Sequence, residues 1–227
     1  MKILRVIDLV LSTCAIACLA PALLPIALVL RFTGEHEIFY VQRRVGKEGR
    51  EFALLKFATM LKESPEIGSR SITLKNDPRV LPVGKFLRKS KINELPQLVN
   101  IFLGDMSFVG PRPLTGETFS AYDVNTQREI KKVTPGLTGV GSIIFRSEEE
   151  ILSGGGRSVD FYREVVAPYK GQLEIWYVRN RSVKTYVKCI LITAWIVMFP
   201  RSEAAWLAFE GLPSPPNELV DLLNYRG

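Results

Sequence analysis

A long apolar segment near the N-terminus constrains the fold of this chain more than any other feature. Residues 9–30 read LVLSTCAIACLAPALLPIALVL and contain no charged side chain. About 20 such residues are enough for an α-helix to cross the hydrocarbon core of a bilayer. Pro21 and Pro25 each remove a backbone donor near the middle of the segment, where a kink would turn the chain back. We therefore predict a membrane helix that is broken at these two prolines.

Basic residues flank this segment on both sides, which bears on its topology. The positive-inside rule draws both ends toward the cytoplasm, so a re-entrant helix-break-helix over residues 1–32 is the favoured arrangement. A straight spanning helix and a cleaved signal peptide are the alternatives. The signal peptide is the weaker of these, because no small-x-small cleavage site follows the apolar run. The flanking basic residues are Lys2, Arg5, Arg31, Arg43, Arg44 and Lys47.

The net charge of +7 and the 47% hydrophobic content indicate a protein with a real core and anionic partners. Nucleic acid is not favoured as a partner, because the chain has no zinc-finger spacing, ribonucleoprotein motif or basic zipper. No glycine-rich nucleotide-binding fingerprint is present either. A membrane surface is the favoured anionic partner.

The rest of the chain predicts an α+β fold. Two short strands at 39–43 and 52–56, joined by the glycine-flanked turn 46–49, form a small β-hairpin. The remainder is mainly helical, and its last helical pattern, 183–199, is suited either to the membrane interface or to the core. The predicted division is 1–32 as the membrane helix, 33–200 as a cytoplasmic, membrane-associated catalytic domain, and 201–227 as a C-terminal helical extension.

Candidate functional residues concentrate in one polar stretch, residues 88–114, which reads RKSKINELPQLVNIFLGDMSFVGPRPL. Asn93 is predicted to be a helix N-cap, with Glu94 in the first turn and Pro96 early enough to cost no hydrogen bond. Such a helix end can hold phosphate or a metal ion. Arg112 lies between two prolines, whose rigid backbone limits where its guanidinium can point, and a fixed guanidinium suits phosphate oxygens.

The metal chemistry that the sequence permits is that of oxygen ligands. His36 is the one histidine of the chain and has no partners at ligand spacing, which argues against a zinc or di-iron centre. Carboxylates remain, and they favour magnesium or manganese. Glu94 is the leading candidate ligand.

Several of these motifs, in order, resemble the bacterial sugar transferases, that is, the monotopic polyprenyl-phosphate phosphoglycosyl transferases. The resemblance runs from the proline-broken helix nearly to residue 200. Its carriers are the helix itself, QRRVGKEGREFALLKFATM at 42–60, ELPQL at 94–98, GDMSFVGPRPL at 104–114 and TPGLTG at 134–139.

This resemblance implies an activity and a location. The expected reaction transfers a phosphosugar from a UDP-sugar to polyprenyl (undecaprenyl) phosphate with Mg²⁺, giving polyprenyl-diphosphate-sugar and UMP. It would initiate synthesis of a glycan such as capsule, exopolysaccharide, O-antigen or glycoprotein, and downstream glycosyltransferases are possible partners. The expected location is the bacterial inner (cytoplasmic) membrane, with the catalytic part on its cytoplasmic face.

The resemblance also assigns roles, with two departures from the family pattern. In the family an Asp-Glu pair opens this helix; the Asp is the covalent nucleophile and the Glu, here Glu94, binds the metal. Asn93 stands at the nucleophile position, so the covalent mechanism fails, another carboxylate such as Glu94 or Asp105 substitutes, or the lipid phosphate attacks directly. Ala58 stands where the family usually has Arg. The remaining basic residues expected to bind the phosphates of the donor or lipid are Lys56, Arg88 and Arg112.

Two other hypotheses belong to different functional classes. A catalytically silent family member would bind UDP-sugar or lipid phosphate and act as a scaffold for partner glycosyltransferases. A single-span anchor carrying a soluble basic adaptor domain would place the N-terminus and residue 32 on opposite faces of the membrane.

Overall fold

A computed structural model describes residues 2–64, 66, 77–153, 159–199 and 202–225 of the 227-residue chain. The chain packs as two compact units, Met1–Arg44 with Glu51–Ser107, and Val45–Arg50 with Phe108–Gly227. Most elements are helical, beside a small hairpin, so the predicted α+β class is confirmed. The predicted boundary between residues 200 and 201 lies outside the described residues.

The first unit begins with helix α1, Lys2–Phe32, which is long and apolar enough to cross a membrane by length and composition. Pro21 and Pro25 lie inside this helix, which continues through both residues. The reason is that a proline removes one backbone hydrogen bond and can bend a helix without ending it, because the neighbouring bonds persist. Re-entrant topology remains a prediction.

The hairpin follows α1, and it is longer than the predicted strands. Strand β1, Phe39–Val45, pairs with β2, Glu51–Phe57, and the predicted turn between them contains a short 3₁₀ helix, Lys47–Gly49. Glu48 in this turn has a φ of 59° and Gly49 a φ of 77°. The glycine takes this left-handed conformation without steric cost, which explains its place in the turn.

Two helices and a short turn complete the first unit: α2, Pro82–Lys89; a 3₁₀ turn, Ile92–Glu94; and α3, Gln97–Leu103. The apolar core under them contains Leu30, Phe57 and Leu87, one each from α1, β2 and α2. The end of α1 is thereby tied to the same core as the hairpin.

The second unit holds a two-stranded sheet and the remaining helices. Strand β3, Ser107–Val109, pairs with β4, Gly136–Thr138. The helices are α4, Gly116–Ser120; α5, Val124–Ile130; α6, Val140–Ile144; α7, Glu148–Ser153; α8, Val159–Phe161; α9, Ala167–Arg179; α10, Val183–Met198; α11, Ala204–Ala208; and α12, Asn217–Val220. A π-helical turn, Tyr162–Val166, joins α8 to α9.

Helix α10 confirms the helical pattern predicted for 183–199, and it is not a simple core helix. Tyr186, Cys189 and Ile196 are buried on one side. The opposite side exposes large apolar side chains, with Leu191 at 62% and Trp195 at 45% of full exposure. Exposed apolar stripes of this kind are typical of surfaces that meet another apolar phase or partner.

Candidate functional site

The turn Ile92–Glu94 is the centre of the candidate site in the first unit. It packs against both β2 and α2, so it lies beside Lys56 of β2 and near the end of α2 that carries Arg88. Lys91 precedes it with a φ of 60°, a left-handed conformation that reverses the chain after α2. The basic residues Arg88 and Lys89 therefore lie in the last turn of α2, and a single reversal follows them.

Asn93 is not the N-cap that the sequence predicted. It lies inside the 3₁₀ turn, and the α-helix begins at Gln97 with Pro96 in the cap position. Pro96 has no N–H to donate to Ile92, so the first turn closes with i→i+3 bonds such as Leu98 N–H to Leu95 O at 3.0 Å. The Asn93 side chain is buried instead of capping the helix.

The Asn93 amide is incompletely satisfied. Only 5% of the residue is exposed, and its Oδ1 has no hydrogen-bond partner within the described part of the chain. A buried acceptor without a partner costs about 1–3 kcal/mol. Positions that retain such a cost are candidates for ligand contact.

Glu94 forms an ion pair with Lys56. Oε1 of Glu94 lies 3.3 Å from Nζ of Lys56, and the two side chains are only 13% and 17% exposed. Water screens a pair at this depth poorly, so each charge depends strongly on the other. The structure thus brings together two of the predicted site residues, from elements separated by 38 positions in sequence.

Asn100, which the sequence did not single out, links α3 to β2, the strand that carries Lys56. Asn100 of α3 accepts the Leu55 N–H at 3.0 Å through Oδ1 and donates to Ala53 O at 2.8 Å through Nδ2. Its amide therefore occupies the free edge of β2 as a neighbouring strand would. The sequence does contain a sign of this contact, because Asn100 is a polar residue within an otherwise apolar helical face.

The other predicted residues of the first unit are placed differently. Arg88 is in the last turn of α2, and its Nη1 lies 3.7 Å from Sδ of Met60. Asp105 is exposed and follows α3, whereas Glu94 precedes it. Because a helix rises about 1.5 Å per residue, the seven residues of α3 account for roughly 10 Å of backbone between Glu94 and Asp105. Asp105 thus follows the opposite end of α3 from Glu94.

Arg112 belongs to the second unit, in a loop that two backbone segments hold together. Gly110 donates to Thr138 O at 2.9 Å, and Gly136 donates to Pro111 O at 2.8 Å. A Cβ on Gly110 would lie 2.4 Å from Thr134 O. The motifs GPRPL and TPGLTG therefore form one interlocked structure, which explains why both are rich in glycine and proline.

Helix α9 supplies a buried polar cluster behind this loop, and the sequence analysis did not find it. Glu174 is 1% exposed, and its Oε1 accepts the Arg112 backbone N–H at 3.4 Å. Burial raises the pKa of the Glu174 carboxyl to about 7, against the opposing charges of Lys170 and Arg112. One turn earlier, Lys170 is 2% exposed and pairs with Glu148 at 2.7 Å.

Glu148 consequently has a different role from the one its sequence suggests. The acidic run 148–150 is typical of a solvated helix face, but Glu148 instead neutralises a buried ammonium. Burial alone would lower the pKa of Lys170, yet the Glu148 carboxylate more than offsets this and the pKa is raised. The lysine therefore remains charged in the interior.

The metal-binding capacity of the site rests on few side chains. The described residues contain no group of three or more His, Cys, Asp or Glu side chains suited to a metal ion. The first unit does offer the Glu94 carboxylate and, beside it in sequence, the unpartnered Oδ1 of Asn93. A single carboxylate completed by substrate phosphates and water is a usual environment for Mg²⁺, so the donor set fits magnesium held jointly with a phosphate substrate.

Comparison with known proteins finds relatives named for exopolysaccharide production and for undecaprenyl-phosphate sugar phosphotransfer. The chain is 35% identical over 158 residues to the exopolysaccharide production protein ExoY of Rhizobium meliloti, covering 63% of this chain and 70% of ExoY. It is 32% identical over 190 residues to the UDP-glucose:undecaprenyl-phosphate glucose-1-phosphate transferase of Xanthomonas campestris, covering 82% of this chain and 37% of the relative. It is also 32% identical to the undecaprenyl-phosphate galactose phosphotransferase of Salmonella typhimurium, covering 70% of this chain and 33% of that relative.

The chain thus spans about a third of the length of the last two relatives, and 40% of a sugar transferase of Haemophilus influenzae that is 30% identical to it. The family model described as "Bacterial sugar transferase" matches residues 1–200. This range contains α1, the hairpin, the Glu94 turn and the interlocked GPRPL and TPGLTG loops. The chain therefore belongs to the bacterial sugar transferase family.

Proposed function

We propose that this protein transfers a phosphosugar from a UDP-sugar to polyprenyl (undecaprenyl) phosphate, releasing UMP, as the initiating membrane step of a glycan pathway. The observation that carries the proposal is the Lys56–Glu94 pair next to Asn93, whose Oδ1 has no partner among the described residues, in a chain of this family. Relatives named for undecaprenyl-phosphate sugar phosphotransfer support the choice of substrates.

The residue at position 93 favours a direct displacement. An amide is not a workable nucleophile at phosphorus, Glu94 is held by Lys56, and Asp105 lies beyond the far end of α3. In a direct reaction an oxygen of the lipid phosphate forms a bond to the sugar-bearing phosphorus of the donor. The bond from that phosphorus to the bridging oxygen breaks, and UMP leaves with the electron pair. Catalysis then consists of positioning and charge stabilisation.

The protein's own residues supply these two effects. Lys56, Arg88 and Arg112 are proposed to bind phosphate oxygens, since guanidinium and ammonium groups both form charge-assisted bonds to them. The Glu94 carboxylate and the Asn93 Oδ1 are proposed to face Mg²⁺. When bound, Mg²⁺ would neutralise phosphate charge as a Lewis acid. The Lys56 ammonium would then contact the same phosphate.

The contacts of α1 support membrane association with both helix ends on one face. Near the start of α1, Arg5 donates to Ile101 O and Phe102 O of α3 at 2.5 and 2.6 Å. Near its end, Leu30 packs against Phe57 and Leu87. Both ends thus contact the same unit, while apolar residues between them such as Leu24, at 62%, are exposed. We infer a re-entrant arrangement at the cytoplasmic face of the inner membrane.

An assay of UMP release tests the proposal. Purified protein in lipid nanodiscs is incubated with a panel of UDP-sugars, Mg²⁺ and undecaprenyl phosphate, and the native chain is compared with Asn93→Asp and Glu94→Gln. Direct displacement predicts that the native chain releases UMP only when the lipid phosphate is present. Asn93→Asp is the matched comparison, because a restored nucleophile would release one equivalent of UMP without the lipid and add a phosphosugar mass to the protein.

The buried amide also favours a second candidate function, a silent family member that binds UDP-sugar or lipid phosphate and scaffolds partner glycosyltransferases. It predicts UDP-sugar binding without turnover by the native chain, and turnover by Asn93→Asp alone. Release of UMP by the native chain, lost in Glu94→Gln, would eliminate it.

A further inference from the structure

We propose that Glu174 is a positioning residue for Arg112, and that it fixes the arginine by accepting its backbone N–H. This inference rests on the proposed function insofar as Arg112 binds a phosphate of the donor. Glu174 itself touches no reacting atom in the proposal. It acts through the backbone of the Pro-Arg-Pro loop.

The geometry of α9 is the first argument. Lys170, Glu174 and Tyr177 are spaced four and three residues apart and therefore share one face of the helix. All three are at most 2% exposed. Tyr177 donates to Val109 O at 3.0 Å, and Glu174 accepts from the Arg112 N–H at 3.4 Å. The same helical turn thus holds both ends of the four-residue segment 109–112.

The second argument is the fit of the Glu174 carboxylate. A Cβ on Gly141 would lie 2.4 Å from its Oε1, so the glycine leaves just enough space for this oxygen to reach the loop. The other oxygen, Oε2, is buried and finds no hydrogen-bond partner among the residues that the structure describes. A buried carboxylate with one bonded and one orphaned oxygen is costly to stability. Stability alone does not account for a carboxylate here.

The third argument concerns Arg112, the binding residue that this loop carries. Its other face is held by the backbone bonds of Gly110 and Gly136, and prolines flank Arg112 on both sides. The backbone N–H of Arg112 is therefore a point at which the Glu174 side chain can set the orientation of this residue. Holding a binding group in one geometry before substrate arrives lowers the entropic cost of binding.

The test compares Glu174→Met with Glu174→Gln and with a control, Tyr169→Phe. Methionine has similar volume but accepts no such bond, whereas glutamine keeps an oxygen at the acceptor position. Tyr169 is on the same helix and equally buried, and its hydroxyl bonds Pro213 O at 2.8 Å, away from the Arg112 loop. Removing that hydroxyl deletes one buried bond of α9 without affecting the loop directly.

Two readouts are used on full-length protein in nanodiscs: hydrogen exchange in peptides covering 109–114, and the Kd of UDP with Mg²⁺ by calorimetry. Glu174→Met is expected to speed exchange in 109–114 and to raise the Kd on the order of tenfold, with little loss of Tm because a costly buried charge is removed. Glu174→Gln is expected to restore both readouts to near native, and Tyr169→Phe to leave both unchanged.

Three results would overturn the inference: native exchange in Glu174→Met, failure of Glu174→Gln to restore it, or the same change in Tyr169→Phe. If Glu174→Met does not fold, Gly141→Ala replaces it, because the added methyl displaces Oε1 from the loop, and it must reproduce the faster exchange. If the native chain binds no UDP and releases no UMP, the proposed function fails while the exchange data still decide the role of Glu174.

Discussion

The Lys56–Glu94 pair provides the sharpest quantitative prediction. At 3.3 Å and an effective dielectric constant near 20, the Coulomb attraction between the charges is about 5 kcal/mol. Desolvation of two side chains that are 17% and 13% exposed offsets much of this. We expect a net coupling of about 2 kcal/mol in a double-mutant cycle. Glu94→Gln or Lys56→Met alone should lower the free energy of unfolding by about 2–4 kcal/mol, because each removes one member of a poorly hydrated ion pair.

The chain offers a matched control in the same unit. Lys62 and Glu37 pair at 2.9 Å, which is closer, but their side chains are 68% and 48% exposed. Their coupling should therefore be much weaker than that of the Lys56–Glu94 pair, because water screens exposed charges. Both cycles are measured by thermal and chemical unfolding in detergent without Mg²⁺ or nucleotide, where 2 kcal/mol corresponds to roughly 4–8 °C in Tm for a chain of this size. Equal coupling in the two pairs would show that burial does not govern the Lys56–Glu94 interaction and would refute the reasoning.

Three further predictions concern the packing of each unit and the pH dependence of stability. Arg5→Met should lower the free energy of unfolding by about 1–3 kcal/mol, because the carbonyls of Ile101 and Phe102 lose a charged donor; exposed Lys2→Met is the control in the same thermal unfolding assay. Lys170→Met should cost about 3–5 kcal/mol in chemical unfolding, since Glu148 and Glu174 then lack a buried cation. Because burial raises the pKa of Glu174 from 4.5 to about 7, its protonated form favours the folded state. This protonation stabilises the folded state by about 3 kcal/mol below pH 4.5. The stabilisation is lost as the pH rises to about 7. Glu174→Gln should remove that part of the pH dependence, and an unchanged stability profile in this variant would contradict the assignment.

Local patterns predicted the elements of this protein better than the contacts of its site. The hairpin and α10 were found because alternating and helical periodicities depend on the chain's own neighbours. Helix α1 continues through Pro21 and Pro25, since one lost hydrogen bond bends a helix but does not have to end it. The N-cap assigned to Asn93 was wrong for a related reason: Pro96 delays the α-helix by a turn, and Asn93 becomes buried.

Long-range partners were beyond reach of the sequence for a physical reason. Asn100 bonds a strand edge more than 40 residues away, and Glu148 neutralises Lys170 from a different helix. Neither partner has a local signature, because an amide or a carboxylate looks the same in sequence whether water or protein satisfies it. The position of Asp105 beyond the far end of α3 likewise depended on where that helix began.

The sequence by itself determined the class of the fold, the apolar N-terminal helix and the family, because these depend on hydrophobic periodicity and on motifs that lie in order along the chain. Only the tertiary structure decided which charges meet. It paired Lys56 with Glu94, buried the Oδ1 of Asn93 without a hydrogen-bond partner among the described residues, and placed Glu174 against the Arg112 backbone. These interactions arise from burial, where the loss of water makes each polar group depend on a specific partner.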